Sequence, residues 1–235
     1  MALFVLADPH LGFGVNKPMA VFGSHWQNHE QRLALEWRKS ITDEDTVVLP
    51  GDISWAMNLS EALPDLAFLD RLPGRKILLR GNHDYWWSSM KKIQAFCADN
   101  NLLTLSFLRN NALFVPPDWV VCGTRGWIVP GDADFGPGDE KIYLREIGRL
   151  RLSLEAARSI RKPKSRLIAC LHYPPFARDL KPTDLTELLE AFSVDICVYG
   201  HIHSDQGLNG QAGPPGRVGY QLASADYLNF KPLRL

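Results

Sequence analysis

Residues 76–84 read KILLRGNHD: a short aliphatic run, then Arg80, then Gly81-Asn82-His83-Asp84, where glycine gives way at once to an amide, an imidazole and a carboxylate. An aliphatic run of this length reads as a strand buried on both faces. Polar residues at its carboxyl end fall where open α/β sheets place their sites. The same punctuation recurs along the chain. Residues 3–6 lead to Asp8-Pro9-His10, residues 46–49 to Gly51-Asp52, residues 167–171 to His172, and residues 196–199 to Gly200-His201-Ile202-His203.

Between these runs lie stretches of helical length and pattern, at residues 25–40, 60–72, 85–99, 140–161 and 183–192. The last opens on Thr183 as an N-cap with a glutamate close behind. Pro64 suits the second only near its first turn. Strands alternating with helices predict an α/β fold whose strands are largely parallel. The middle departs from this, because residues 112–115, the turn Pro116-Pro117-Asp118 and residues 119–123 read as a hairpin. Residues 219–222 and 227–233, after a Gly- and Pro-rich turn at 210–216, offer two more strands, so a second, more antiparallel sheet is expected.

The totals set outer limits. At 235 residues and 46% hydrophobic content the chain can bury one sizeable core, so one domain over residues 1–235 is expected. Its 26 basic and 26 acidic side chains cancel, which argues against a long nucleic acid or an anionic membrane as partner. A small phosphorylated substrate, nucleotides included, stays open, because a buried metal pair supplies positive charge without changing the sum. Cys97, Cys122, Cys170 and Cys197 are scattered without a C-x-x-C pair and read as core residues in a reduced compartment. With no leader pattern at residues 1–8 and no apolar stretch of bilayer length, a cytoplasmic protein is the expectation.

If the strands are parallel, their carboxyl ends share one edge, and the five polar blocks converge there. Aspartate, asparagine and histidine together suit manganese, iron or zinc rather than the all-oxygen cage of calcium or magnesium. The set is too large for one tetrahedral ion, so two divalent or trivalent ions bridged by a carboxylate fit better.

In order, D-x-H at Asp8 and His10, G-D at Gly51-Asp52, G-N-H-D at Gly81 to Asp84, the isolated His172 and G-H-x-H at Gly200 to His203 resemble the signature of the calcineurin-like metallophosphoesterases. The resemblance implies a two-sheet β-sandwich flanked by helices in an α-β-β-α order. It implies a hydrolase that cleaves a phosphomonoester, phosphodiester or phosphoanhydride with a metal-bridging hydroxide. By the same resemblance Asp8, His10 and His203 hold one ion, Asn82, His172 and His201 the other, and Asp52 bridges. His83 then stands beside the phosphate as proton donor or charge stabiliser, with Asp84 orienting its ring.

Blander readings compete. The fold can serve as a metal-binding interaction scaffold without turnover. His25 and His29, four apart on an expected helix, could form a second metal site or merely line the rim. Asp132, Asp134, Asp139 and Glu140 lack calcium-loop spacing and read as a solvated turn. Trp55, Tyr85, Trp86 and Trp87 follow the metal blocks and either pack helices or stack on a flat substrate group, Trp86 or Trp87 first among them. Arg80, Arg125 and Arg178 lie at motif ends, from where they could reach a phosphate. Apolar positions along residues 140–161 leave the oligomeric state open.

Overall fold

The computed structural model describes residues 1–203 and 213–235. Among them ten strands are found: β1 (Leu3–Val5), β2 (Thr46–Pro50), β3 (Arg75–Leu79), β4 (Leu105–Phe107), β5 (Ala112–Val115), β6 (Trp119–Thr124), β7 (Arg166–Leu171), β8 (Ile196–Tyr199), β9 (Gly219–Leu222) and β10 (Leu233–Arg234). They form two sheets, β10-β1-β2-β3-β4 and β5-β6-β7-β8-β9. In each, three neighbouring pairs run parallel and one edge strand, β10 or β5, is antiparallel. The second sheet is therefore no more antiparallel than the first: β9 joins β8 in parallel, and the hairpin reverses only one edge.

Alternation along each strand builds three apolar layers. Val48, Ile77 and Val5 from the first sheet meet Val121, Ile168, Cys170 and Val198 from the second. The opposite faces, Val47, Leu49 and Leu78, pack on Leu33 and Trp37 of α1 (His29–Ser40), Leu66 and Leu69 of α2 (Leu59–Asp70) and Ile93 of α3 (Met90–Asp99). On the far side Val120, Ala169, Leu171 and Cys197 pack on Leu150 and Leu154 of α4 (Asp139–Ile160) and Leu185 and Leu189 of α5 (Asp184–Ala191). Both faces of each sheet are covered, which is why the strands read as unbroken apolar runs. Each fully buried aliphatic side chain here is worth about 1.5–3 kcal/mol.

Departures from the expected elements have local causes. Helix α1 starts at His29 rather than residue 25, because Asn28 takes a left-handed conformation and His25 lies in a separate 3-10 turn, Ser24–Trp26. Helix α3 starts at Met90, where the Ser89 side chain caps it. Pro64 sits in the second turn of α2, which runs on without that proline's hydrogen bond. The Thr183 cap is answered by Thr186, not by a glutamate. The strand expected at 227–233 shrinks to β10, since Asn229 and Phe230 both have positive φ and Phe230 N–H turns back to the Ala225 carbonyl. Strand β4 was not anticipated. Of the turn at 210–216, residues 210–212 lie outside the described residues.

Candidate metal centre

The parallel strands do bring the polar blocks to one edge, and the backbone there is tightly turned. Asp8, His10, Asp52 and His201 all have positive φ, at 55°, 45°, 50° and 68°. Such conformations cost of order 1–3 kcal/mol in non-glycine residues and gather at functional sites. The loops after β1 and β2 are laced together: Asp8 N–H donates to Gly51 O, His10 N–H to Asp52 O and Leu11 N–H to Ile53 O. Gly81 is needed where it stands, because a Cβ there would overlap the backbone nitrogen and carboxylate of Asp52.

Two donor groups result, Asp8 with His10 and His203, and Asp8 with Asp52 and His172. Asp52 Oδ2 lies between His10 Nε2 at 3.7 Å and His172 Nε2 at 3.5 Å. These are too long for hydrogen bonds. They match the roughly 3.5 Å that separates two donors held about 2.1 Å from a common ion. His172 Nδ1 meets the Pro50 carbonyl at 3.0 Å, which makes it the N–H tautomer and leaves Nε2 as a lone pair. That lone pair faces Asn82 Oδ1 at 2.6 Å, so two acceptors oppose each other where a cation would join them. Burial keeps His172 neutral, its pKa pushed down to about 3, and does the same to His201 at about 2.

The carboxylates need positive charge. Burial, partly offset by His203, pushes the Asp8 carboxyl up to about 8, and burial raises Asp52 as well. Asp8 Oδ1 and His10 Nδ1 are buried without a hydrogen bond. Two buried carboxyl groups, that of Asp8 with an unmet acceptor, beside the neutral rings of His172 and His201 suit bound cations. The donor set therefore fits two metal ions.

A family model for calcineurin-like phosphoesterases matches residues 1–205. This chain belongs to that family. A phosphopantetheinyl hydrolase from Mycobacterium tuberculosis has a similar structure, with TM-score 0.56 and 12% identity over 100% of this chain and 95% of that one. So has a protein of unknown function from Aquifex aeolicus, with TM-score 0.51 and 17% identity over 99% and 95%. At such identities the likeness speaks for the fold alone. No functionally curated protein matches the sequence.

Around this calcineurin-like centre the remaining candidates sort by contact. His83 is half-buried, its ring 4.5 Å from that of Trp55, and its backbone N–H donates to Asp52 Oδ1 at 2.8 Å. Burial lowers its pKa against the pull of Asp52. Asp84 turns inward: it accepts from Ile53, Ser54 and Gly81 backbone N–H groups and from Trp86 Nε1, and so its bonds go to the loops rather than to the His83 ring. Burial, with Asp52 close by, pushes it up to about 7.

Several neighbours were not read from the sequence. Asp226 holds His203 Nδ1 at 3.1 Å, the carboxylate–imidazole pairing that orients metal ligands. Burial opposes charge on His203, but Asp226 and Asp8 overcome it and hold the ring up at about 9. The Tyr173 ring lies 4.0 Å from His201. The signal for Asp226 was a polar pair, Ser224 and Asp226, among alanines just past a strand.

Trp55 proves to be the aromatic residue at the centre, stacked on His10 at 4.9 Å, while Trp86 is buried and Trp87 packs on Phe107. His29 is buried against the His10 carbonyl, and His25 faces Asp226 at 3.9 Å; neither joins a metal group among the described residues. In the acidic turn Asp139 serves the indole of Trp127 and the N–H of Gly136. Two cavities flank the centre. One of about 250 Å³ is lined by His10, Trp26, Trp55, His83 and His203, the other of about 240 Å³ by Tyr173, Arg178 and His201. No helix among the described residues is long and apolar enough to cross a membrane.

Proposed function

We propose that this protein is a phosphoesterase that uses two metal ions, drawn from manganese, iron or zinc, to hydrolyse a small phosphorylated substrate. The observation that carries this reading is Asp52 Oδ2 set 3.7 Å and 3.5 Å from imidazoles of the two expected ligand sets, with His83 beside the cavity. Asp8, His10 and His203 would hold one ion, Asn82, His172 and His201 the other, and Asp52 both. When bound, such ions supply Lewis acidity, letting water ionise near neutral pH and neutralising charge on phosphoryl oxygens.

The chain's own groups then have definite tasks. Pro50 and Asp226 fix two ligand rings through Nδ1. Trp55 and Trp26 wall the cavity and exclude water. His83, carried on the backbone bonded to Asp52, is placed to give its proton to the oxygen that leaves as the phosphorus–oxygen bond breaks. A phosphodiester belongs among the first substrates to try, given the neighbour named a phosphopantetheinyl hydrolase.

The test is hydrolysis of bis-p-nitrophenyl phosphate and p-nitrophenyl phosphate by stripped protein with manganese restored. Manganese-dependent release that disappears in His83→Ala, with metal content unchanged by elemental analysis, is expected. Two bound metals with no ester cleaved would favour the scaffold reading instead.

A further inference from the structure

A third cavity, of about 180 Å³, opens where the end of β3 faces the end of β6, and Arg80, Arg109, Arg125 and Arg149 all line it. Among the described residues the only carboxylate in its wall is Glu146, fully buried on α4. Glu146 is already engaged: it accepts from Thr124 Oγ1 at 2.6 Å and from Arg149 at 2.5 Å, and Arg125 stands 3.5 Å away. Arg109 donates to the Ser88 carbonyl at 3.3 Å. The Nε groups of Arg80 and Arg125 are buried with no hydrogen-bond partner. A buried donor without an acceptor costs about 1–3 kcal/mol. Two guanidinium forks turned to one cavity suit the oxygens of a phosphate.

The cavity is tied to the metal centre by the chain itself. Arg80 precedes Gly81-Asn82, and the Arg125 carbonyl accepts from His172 and Tyr173 at 3.0 and 2.9 Å. We propose that this pocket is a second anion site, in which Arg80 and Arg125 hold a phosphate group other than the one cleaved, carried by the substrate or free in solution. The part played by the substrate rests on the phosphoesterase reading; the site itself does not.

Calorimetric titration of the metal-loaded full chain with inorganic phosphate, beside crystals soaked in tungstate, tests the site. Two anions per chain are expected, one giving a tungsten peak between Arg80 and Arg125. Arg80→Gln should weaken that one by about 10-fold or more and leave the other, with partial rescue in Arg80→Lys. Arg125→Lys, which keeps a charge opposite Glu146 but removes the fork, is the second variant should the first fold poorly, and should weaken the same anion. If the phosphate is the substrate's, the kcat/KM ratio of adenosine 3′,5′-bisphosphate to adenosine 5′-monophosphate falls in Arg80→Gln. If it is free, phosphate changes kcat on bis-p-nitrophenyl phosphate in the wild type and not in Arg80→Gln. A single anion at the metals, or a tungsten peak unchanged by Arg80→Gln and so an adventitious ion only, overturns the proposal. No esterase activity in the metal-loaded wild type, with the second anion still bound, would instead sink the phosphoesterase reading.

Discussion

The two sheets share a topology yet bring different chemistry to the edge where they meet. The first supplies both carboxylates, Asp8 and Asp52, together with His10, Asn82 and His83; the second supplies only imidazoles, His172, His201 and His203. The first sheet's loops are also the more heavily cross-braced, through the backbone bonds between the Asp8 and Asp52 loops and the four donors that converge on Asp84. One sheet thus carries the carboxylates in a stiff frame, and the other carries imidazoles, those of His172 and His201 neutral and that of His203 paired with Asp226.

The largest effect should come from separating these contributions at the proposed ligands. Asp52→Asn is expected to lower kcat/KM by at least about 10³-fold, because it removes the charge that both ions would share. Since burial raises the Asp52 pKa, the same change should raise the melting temperature of the metal-free protein. His201→Gln removes a neutral donor. It should weaken metal binding in calorimetric titration without that gain in metal-free stability. Equal responses of the two variants would erase the distinction between the sheets.

Bracing comes next. Asp84→Ala leaves four buried N–H donors without acceptors, at about 1–3 kcal/mol each, and should cost about 4 kcal/mol or more in chemical denaturation. On the other sheet the corresponding support is Asp226 behind His203. Asp226→Asn should lower metal affinity about 10–100-fold with little loss of fold, as for other carboxylates that orient a ligand from behind. A global destabilisation by Asp226→Asn would place that residue in the frame rather than behind the site.

The same contrast explains what could be read in the sequence. The blocks around Asp8, Asp52, Asn82, His172 and His201 were legible because a buried strand is an unbroken apolar run and its carboxyl end is marked by glycine and polar residues. Both sheets were legible as layers for that reason. The parallel placement of β9 was not, since a four-residue strand carries no record of its neighbour's direction. Asp84 reads as a partner for the adjacent His83, yet two of its four bonds run to a loop some thirty residues earlier and the other two to Gly81 and Trp86. Trp55 and Asp226 reach the centre from positions whose local sequence shows only an aromatic residue and a turn.

The smallest expected effect lies behind the first sheet's loop. Asp65 on α2 accepts from the Phe13 N–H and from the Ser54 hydroxyl, pinning the loops that follow His10 and Asp52. Burial pushes its carboxyl from 3.8 up to about 6. With the folded value above the unfolded one, the native state holds the extra proton between about pH 4 and 6. The stability Asp65 contributes is therefore complete below pH 4, declines as pH rises through 6 and is level above it, with a slope of about 1 kcal/mol per pH unit at its steepest. Asp65→Asn can keep both bonds without titrating. Urea denaturation at pH 4 to 7 should show the variant gaining on the wild type as pH rises through this window. A constant difference would mean that the carboxyl ionises as freely in the fold as in the open chain, its burial being offset by the bonds from Phe13 and Ser54.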